Sequence, residues 1–542
     1  IKKLYAVAAS PELYGSFVEL GAVRSLLGLL AHDNTDVSLS VVGLLAELTD
    51  RETAEEAPAQ MALLVDALID KNQGLELLVQ NLGRLDENSS TEDSDGVYST
   101  LTVLENLLDF RPLLAAQVCE RTGILKFLLK RLKVRKFDSN KLYASEVLHQ
   151  LLLDPECAVK LGELIGCDGV DELLQSCAFY RKREPASEEE EELVENLFGA
   201  LSASLAAPDN QGRFKHSQGF ELMLRCMKEK NYAGTCALKV LDFAISDSAA
   251  NAEALVTAGG LKTLLPAFMG RGVVRAAGSA VRVDPKGKGK TVKRKVGKAA
   301  ADLQEAEAGA EAKAVSVVAT LCVQLQVGIG GVGHDQRIKI PDSLARLIAK
   351  FLEDGAVKVD RLIELFAEFS AKVDAFADPG DGSDVDDEEE DEEEEGEGAK
   401  VCRAADRAYG RLLGEGGLGT LQQVAVIAAT VCLWSKAARE GCAKKLFEKG
   451  RSLAEVRRIL VAYASRLDSQ ARKAARLHEV SESNEAARLK LGEEGEIYDG
   501  AEAGSMGGGG GEATQAALAR EKQRAQLVAR IAASFKAEDT EP

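Results

Sequence analysis

Apolar residues return at three- and four-residue intervals along most of this chain, as in Val41, Leu44, Leu45 and Leu48. That period predicts amphipathic helices with one buried stripe each. Six glycines share one sequel: a short apolar helix, a polar turn, then a longer amphipathic helix. Gly21 opens Gly-Ala-Val-Arg-Ser-Leu-Leu, Gly74 opens Gly-Leu-Glu-Leu-Leu-Val, Gly123 opens Gly-Ile-Leu-Lys-Phe-Leu-Leu, and Gly169, Gly219 and Gly260 open later copies. The steps between them run from 41 to 53 residues, close to the roughly 40–47 of armadillo and HEAT units. Glycine suits a sharp corner between packed helices, where a Cβ would crowd the neighbouring backbone or obstruct a positive φ. No such unit buries its stripe alone, so stacked neighbours share one core and leave a long groove. The expected fold is all-α: an armadillo/HEAT-like right-handed helical solenoid, with the longer helices lining its inner face.

Three low-complexity segments interrupt this pattern. Residues 271 to 298 carry ten lysines and arginines against Asp284 alone, 378 to 397 carry fourteen acidic side chains and no basic one, and Gly500 to Gly511 is glycine-rich. Self-repulsion and poverty in apolar residues keep such segments from packing. The expected organisation is armadillo-like repeats over 1–270, a basic flexible loop over 271–312, helical repeats again over 313–376 and an acidic disordered insertion over 377–399. C-terminal helical repeats over 400–490, a Gly-rich linker over 491–513 and a last helix over 514–536 complete it. The chain opens on Ile1 and not on methionine, which leads us to expect a further N-terminal segment.

Charge narrows the function. Lys and Arg number 67 against 87 Asp and Glu, a net −20, which repels phosphate backbones and attracts basic peptides. Direct nucleic-acid binding is therefore disfavoured. Ten cysteines contain no CxxC pair and read as buried thiols. The longest apolar run, Val424 to Trp434, is far short of the roughly 20 residues of a membrane span. No phosphate loop, HExxH or GxSxG motif is present, and no histidine has a partner at zinc-ligand spacing. The expectation is a protein-binding scaffold that is not an enzyme and has neither cofactor nor metal.

Several stretches resemble the beta-catenin-like protein 1 family, an armadillo-like, spliceosome-associated group. They are His32-Asp33-Asn34-Thr35-Asp36-Val37, Asn140-Lys141-Leu142-Tyr143 with Ser145-Glu146-Val147-Leu148, Ala237-Leu238-Lys239-Val240-Leu241-Asp242 and Lys358-Val359-Asp360-Arg361-Leu362. They lie within a resemblance running from about Leu13 to Leu467. The resemblance implies a nuclear protein of the spliceosome's nineteen complex that binds basic, nuclear-localisation-type segments of splicing factors, including the Myb-like subunit. A generic armadillo adaptor in transport or adhesion signalling is the alternative, and the chain leaves room for homo-oligomers.

Aligning the longer helices on their leucines puts Glu47, Asn106 and Gln150 in one column, with Glu105, Glu146, Glu195, Asn196 and Asp242 on or beside the strip. Amide side chains at such a place can hydrogen-bond the main chain of an extended peptide, and carboxylates can pair with its lysines. Ordinary solvated polar residues are the competing reading for each of them. The single tryptophan, Trp434, cannot build the tryptophan array of an armadillo import adaptor. Lys293, Arg294 and Lys295 form a basic cluster open to three readings: a localisation signal, an RNA contact or a partner for the acidic tract.

Overall fold

The computed structural model describes residues 1–69, 73–271, 296–329, 340–377, 409–493 and 509–535, with side chains described outside 296–308, 377, 477–493 and 509–518. The described residues form helices and no strand. They divide into two compact units, Ile1–Ala244 and a second beginning at Ile245.

The first unit is a run of helix triplets. They are Tyr14–Glu19, Ala22–Leu29 and Thr35–Leu48; Pro58–Ile69, Gly74–Leu82 and Thr91–Phe110; Leu114–Arg121, Ile124–Leu132 and Ser139–Leu152; Pro155–Gly162, Gly169–Phe179 and Glu188–Ser204; and Pro208–His216, Gly219–Glu229 and Tyr232–Ile245. This is the armadillo-type fold expected from the periodicity. Each third helix starts where a side chain takes up an otherwise unpaired backbone N–H. Asn34 accepts from the amide of Asp36 (2.9 Å), Ser90 from Asp93 (3.0 Å), Asp138 from Lys141 (2.9 Å), Ser187 from Glu190 (3.2 Å) and Asn231 from Gly234 (3.2 Å). The stripe Val41, Leu44, Leu45 and Leu48 is at most 1% exposed, and burying each such side chain stabilises by roughly 1.5–3 kcal/mol.

Two of the glycines that open second helices show two different reasons for the residue. Gly21 takes φ 69° ahead of Ala22–Leu29, a left-handed conformation that other residues adopt at a cost. Gly219 has ordinary φ, but a Cβ there would lie 2.5 Å from the Phe214 ring.

Third helices pack in order: Thr35–Leu48 on Thr91–Phe110, that on Ser139–Leu152, and that on Glu188–Ser204. Long-range hydrogen bonds staple neighbouring triplets. Arg84 donates to the carbonyls of Leu30 (2.9 Å) and His32 (2.6 Å), Asn140 to Ser94 O (2.9 Å) and Glu87 (2.8 Å), Asn210 to Ala158 O (2.6 Å), and Asn231 to Arg181 O (2.6 Å). The carbonyl that accepts from Asn210 is buried, and the one that accepts from Asn231 is partly so.

The second unit holds Ala249–Thr257, Gly260–Phe268, Val296–Gln324, Asp342–Leu352, Val357–Ala377, Leu418–Trp434, Lys436–Glu448, Leu453–Glu493 and Gly509–Ser534. Gln326 is fully buried at its centre. It donates to Cys322 O (2.6 Å) and Thr430 (3.2 Å) and accepts from the Trp434 indole (3.2 Å). Arg530 of the last helix donates to the carbonyls of Gln326 (2.6 Å) and Ile329 (2.9 Å), while Phe535 is fully buried beneath the Arg439 guanidinium. Arg361 forms a two-pronged ion pair with Glu311, and Asp360 pairs with Lys445.

One expectation is corrected here: the 271–312 segment is helical from Val296 onward. Its latter part is rich in alanine and glutamate, both strong helix formers, and that propensity outweighs the basic composition upstream. The acidic tract 378–397, the cluster Lys293, Arg294 and Lys295, and most of the Gly500–Gly511 stretch lie outside the described residues. No helix among the described residues is long and apolar enough to cross a membrane.

Candidate protein-binding face

The strip read from the sequence lies on the third helices of the first unit. Glu47 and Glu195 are exposed, and Glu105, Asn106, Glu146, Gln150, Asn196 and Asp242 are half-buried. Two carboxylates that the leucine alignment missed join them: Asp109, one turn beyond Glu105, and Glu192, one turn before Asn196. Glu192 ends the acidic run Glu188–Glu192, so its charge reads as a helix N-terminus complement until the neighbouring helix is placed beside it.

Register between adjacent helices follows from three contacts. Asn106 Nδ2 donates to Thr49 Oγ1 (3.4 Å) of the preceding third helix's end, Gln150 Nε2 donates to Asp109 Oδ1 (2.6 Å), and the Tyr143 hydroxyl donates to Glu105. The last contact repeats further on, where the Tyr232 hydroxyl donates to Glu195. In both cases a tyrosine of one third helix reaches back to a carboxylate of the one before.

These contacts engage the amides within the protein. Asn106 Nδ2 and one N–H of Gln150 are used by the preceding helix, because neighbouring third helices approach closely enough to reach them. What remains without a hydrogen-bond partner is the buried Oε1 of Gln150 and the Nδ2 of Asn196. The face therefore presents mainly carboxylates to solvent.

Those carboxylates form no ion pair of their own, although Arg51, itself paired with Glu55, lies close enough to Asp109 and Glu105 to feel their charges. Among the described residues, none of Glu47, Glu105, Asp109, Glu146, Glu192 and Glu195 pairs with a lysine or arginine. Glu146 registers the consequence. Burial first, then the charges of Glu105, Glu192 and Asp109, raise its carboxyl above the ordinary glutamate value. Like charges that disfavour one another's ionisation form a site whose ionisation a bound cation would favour. Beside this strip, burial and the charge of Lys239 hold the His149 imidazole below its ordinary value.

An open cleft of about 380 Å³ lies at one end of the strip, lined by Arg51, Glu55, Asn106, Asp109 and Phe110. No group of three or more His, Cys, Asp or Glu among the described residues could hold a metal ion. Trp434 lies outside this face, in the second unit, with its indole committed to Gln326. The cysteines Cys119, Cys157, Cys177, Cys226, Cys322, Cys432 and Cys442 are buried, and Cys167 and Cys236 half-buried.

Residues 1–461 match the model of a family described as "Catenin-beta-like, Arm-motif containing nuclear". The beta-catenin-like protein 1 of Rattus norvegicus is 38% identical over 472 residues, covering 86% of this chain and 75% of its own length. The Homo sapiens protein of that name is 37% identical with the same coverage. A homolog from Schizosaccharomyces pombe (strain 972 / ATCC 24843) is 33% identical over 274 residues, covering 50% of this chain and 47% of its own length.

Proposed function

This chain belongs to the catenin-beta-like family of Arm-motif-containing nuclear proteins, and from that premise we propose that it is a non-enzymatic scaffold binding basic segments of other proteins. The carrying observation is the row of carboxylates on consecutive third helices that form no ion pair within the described residues. Each is held on a stapled, capped helix, so the face is preorganised and little ordering entropy is lost when an extended basic segment settles on it. Its nuclear partners, on this reading, are the splicing factors implied by the resemblance, the Myb-like subunit of the nineteen complex among them, and its role is to support pre-mRNA splicing.

The test is a titration of the intact chain with a labelled lysine- and arginine-rich peptide, paired with affinity purification from nuclear extract. Affinity should fall as salt rises and fall again when Glu105, Glu146, Glu192 and Glu195 are changed together to glutamine. Splicing factors retained by the wild type and lost by that variant support the reading. Peptide affinity indifferent to the four changes sinks it, and a retained set with no splicing factor in it leaves a generic armadillo adaptor.

A further inference from the structure

One large aromatic ring stands out on the same face. Tyr98 is 49% exposed and falls on a single helical stripe with Thr102, Glu105 and Asp109, spaced by four, three and four residues. Its ring meets that of Tyr143 on the next third helix, with centroids 5.0 Å apart and planes tilted by 53°. Tyr143 is only 8% exposed, and its hydroxyl is committed to Glu105. Tyr98 therefore leans on a fixed partner, and its position is held while half of its surface faces solvent.

A lone exposed tyrosine needs no explanation. Its surroundings set this one apart. Tyr143 ties the ring pair to Glu105, Glu146 follows one turn beyond Tyr143 on the same helix, and neither carboxylate is held in an ion pair. The face of a tyrosine ring attracts a cation through its quadrupole, and guanidinium does so better than ammonium because it is planar and weakly hydrated. A guanidinium lying on such a ring also presents N–H groups at its edge, where a carboxylate can accept them in a two-pronged pair. An ammonium has no such double geometry and would be drawn to any carboxylate along the face.

We propose that Tyr98, backed by Tyr143, is an arginine-selecting subsite, in which a guanidinium of the bound segment stacks on the Tyr98 ring and is paired by Glu105 or Glu146. This rests on the reading of the face as a basic-segment groove and adds to it a preference between the two basic side chains. Tyr98 acts as a specificity residue, whereas the carboxylates supply attraction common to both.

The experiment measures fluorescence anisotropy of the full chain with a labelled Gly-Ser peptide carrying spaced arginines, and with its lysine counterpart. Wild type should bind the arginine peptide about two- to fivefold more tightly. Tyr98→Leu should abolish that preference and leave lysine-peptide affinity unchanged, while Tyr98→Phe, which keeps the ring, should retain it. Matching thermal melts of the three proteins exclude misfolding as the cause. A preference that survives Tyr98→Leu, or is lost in Tyr98→Phe, overturns the subsite. If wild type binds both peptides equally, and both weaken in Glu105→Gln/Glu146→Gln, the subsite falls and the groove stands. If wild type binds neither peptide, both readings fall.

Discussion

Replacing Glu146 with glutamine should strengthen the fold and weaken binding at the same time. In the free protein the Glu146 carboxylate is half-buried and faces the charges of Glu105, Glu192 and Asp109. Glutamine keeps the shape and removes the repulsion. Partly exposed charge interactions are worth roughly 0.2–1 kcal/mol, so a gain of about 0.5 kcal/mol is expected near neutral pH. For a unit of this size that raises Tm by about 1–2 °C. Binding moves the other way: one fewer carboxylate facing a guanidinium or ammonium should weaken affinity by about 1 kcal/mol, or roughly fivefold.

The pH dependence separates this account from a packing effect. Because the folded state raises the Glu146 carboxyl, wild-type stability is lost as pH rises from the ordinary glutamate value of 4.5 through the folded value. Below that window the wild-type side chain is neutral in both states, like glutamine. The gap between variant and wild type should thus be larger near pH 7 than near pH 5. Differential scanning calorimetry at the two pH values reads stability, and peptide anisotropy reads affinity. A variant less stable than wild type near pH 7, or a gap of equal size at both pH values, would refute the like-charge reasoning.

Four further outcomes follow from the packing. Gly219→Ala should destabilise the first unit by about 1–3 kcal/mol in urea titrations, because its Cβ would meet the Phe214 ring at 2.5 Å. Gly123→Ala, where a Cβ would meet nothing within 4 Å, should change stability by less than about 0.5 kcal/mol. Asn210→Ala removes two buried hydrogen bonds, to the carbonyls of Ala158 and Ser204, and should cost about 1–3 kcal/mol by the same assay. Phe535→Ala empties a fully buried site worth about 3–5 kcal/mol. Hydrogen exchange should then show the amides of Gly509–Ser534 losing protection while those of Thr91–Phe110 keep theirs.

Much of the first unit is legible in the residues themselves. Glycines before second helices and Asn34, Ser90, Asp138, Ser187 and Asn231 before third helices punctuate the triplets, and the leucine stripe between them falls on the core as its period requires. The stretches that carried the resemblance turn out to be structural joints: Asn34 caps a helix, His32 lends its carbonyl to Arg84, Asn140 staples two triplets, and Asp360 and Arg361 each hold an ion pair. The candidate face was only partly legible. Its carboxylates could be counted along each helix, but the pairing of Tyr98 with Tyr143, and the use of Asn106 and Gln150 as internal donors, depends on the register between helices some 40 residues apart in the chain. Helical periodicity places a side chain around its own axis and says nothing of how far the neighbouring helix has slid. The helix from Val296 was obscured for a different reason, since a basic, glycine-bearing stretch adjoins an alanine-rich one and a composition window blends the two.

The order in which the third helices pack gives the face a ruler. Axes of packed helices lie about 8–10 Å apart, and a polyproline II chain advances about 3.1 Å per residue and repeats its side-chain direction every three residues. Such a chain laid across successive helices therefore crosses one step in about three residues. A segment with a basic side chain at every third position would stay in phase with the rows of carboxylates. One with charges at every second position would drift out of phase after a single helix, so on the proposed reading the face would select for spacing as well as for charge.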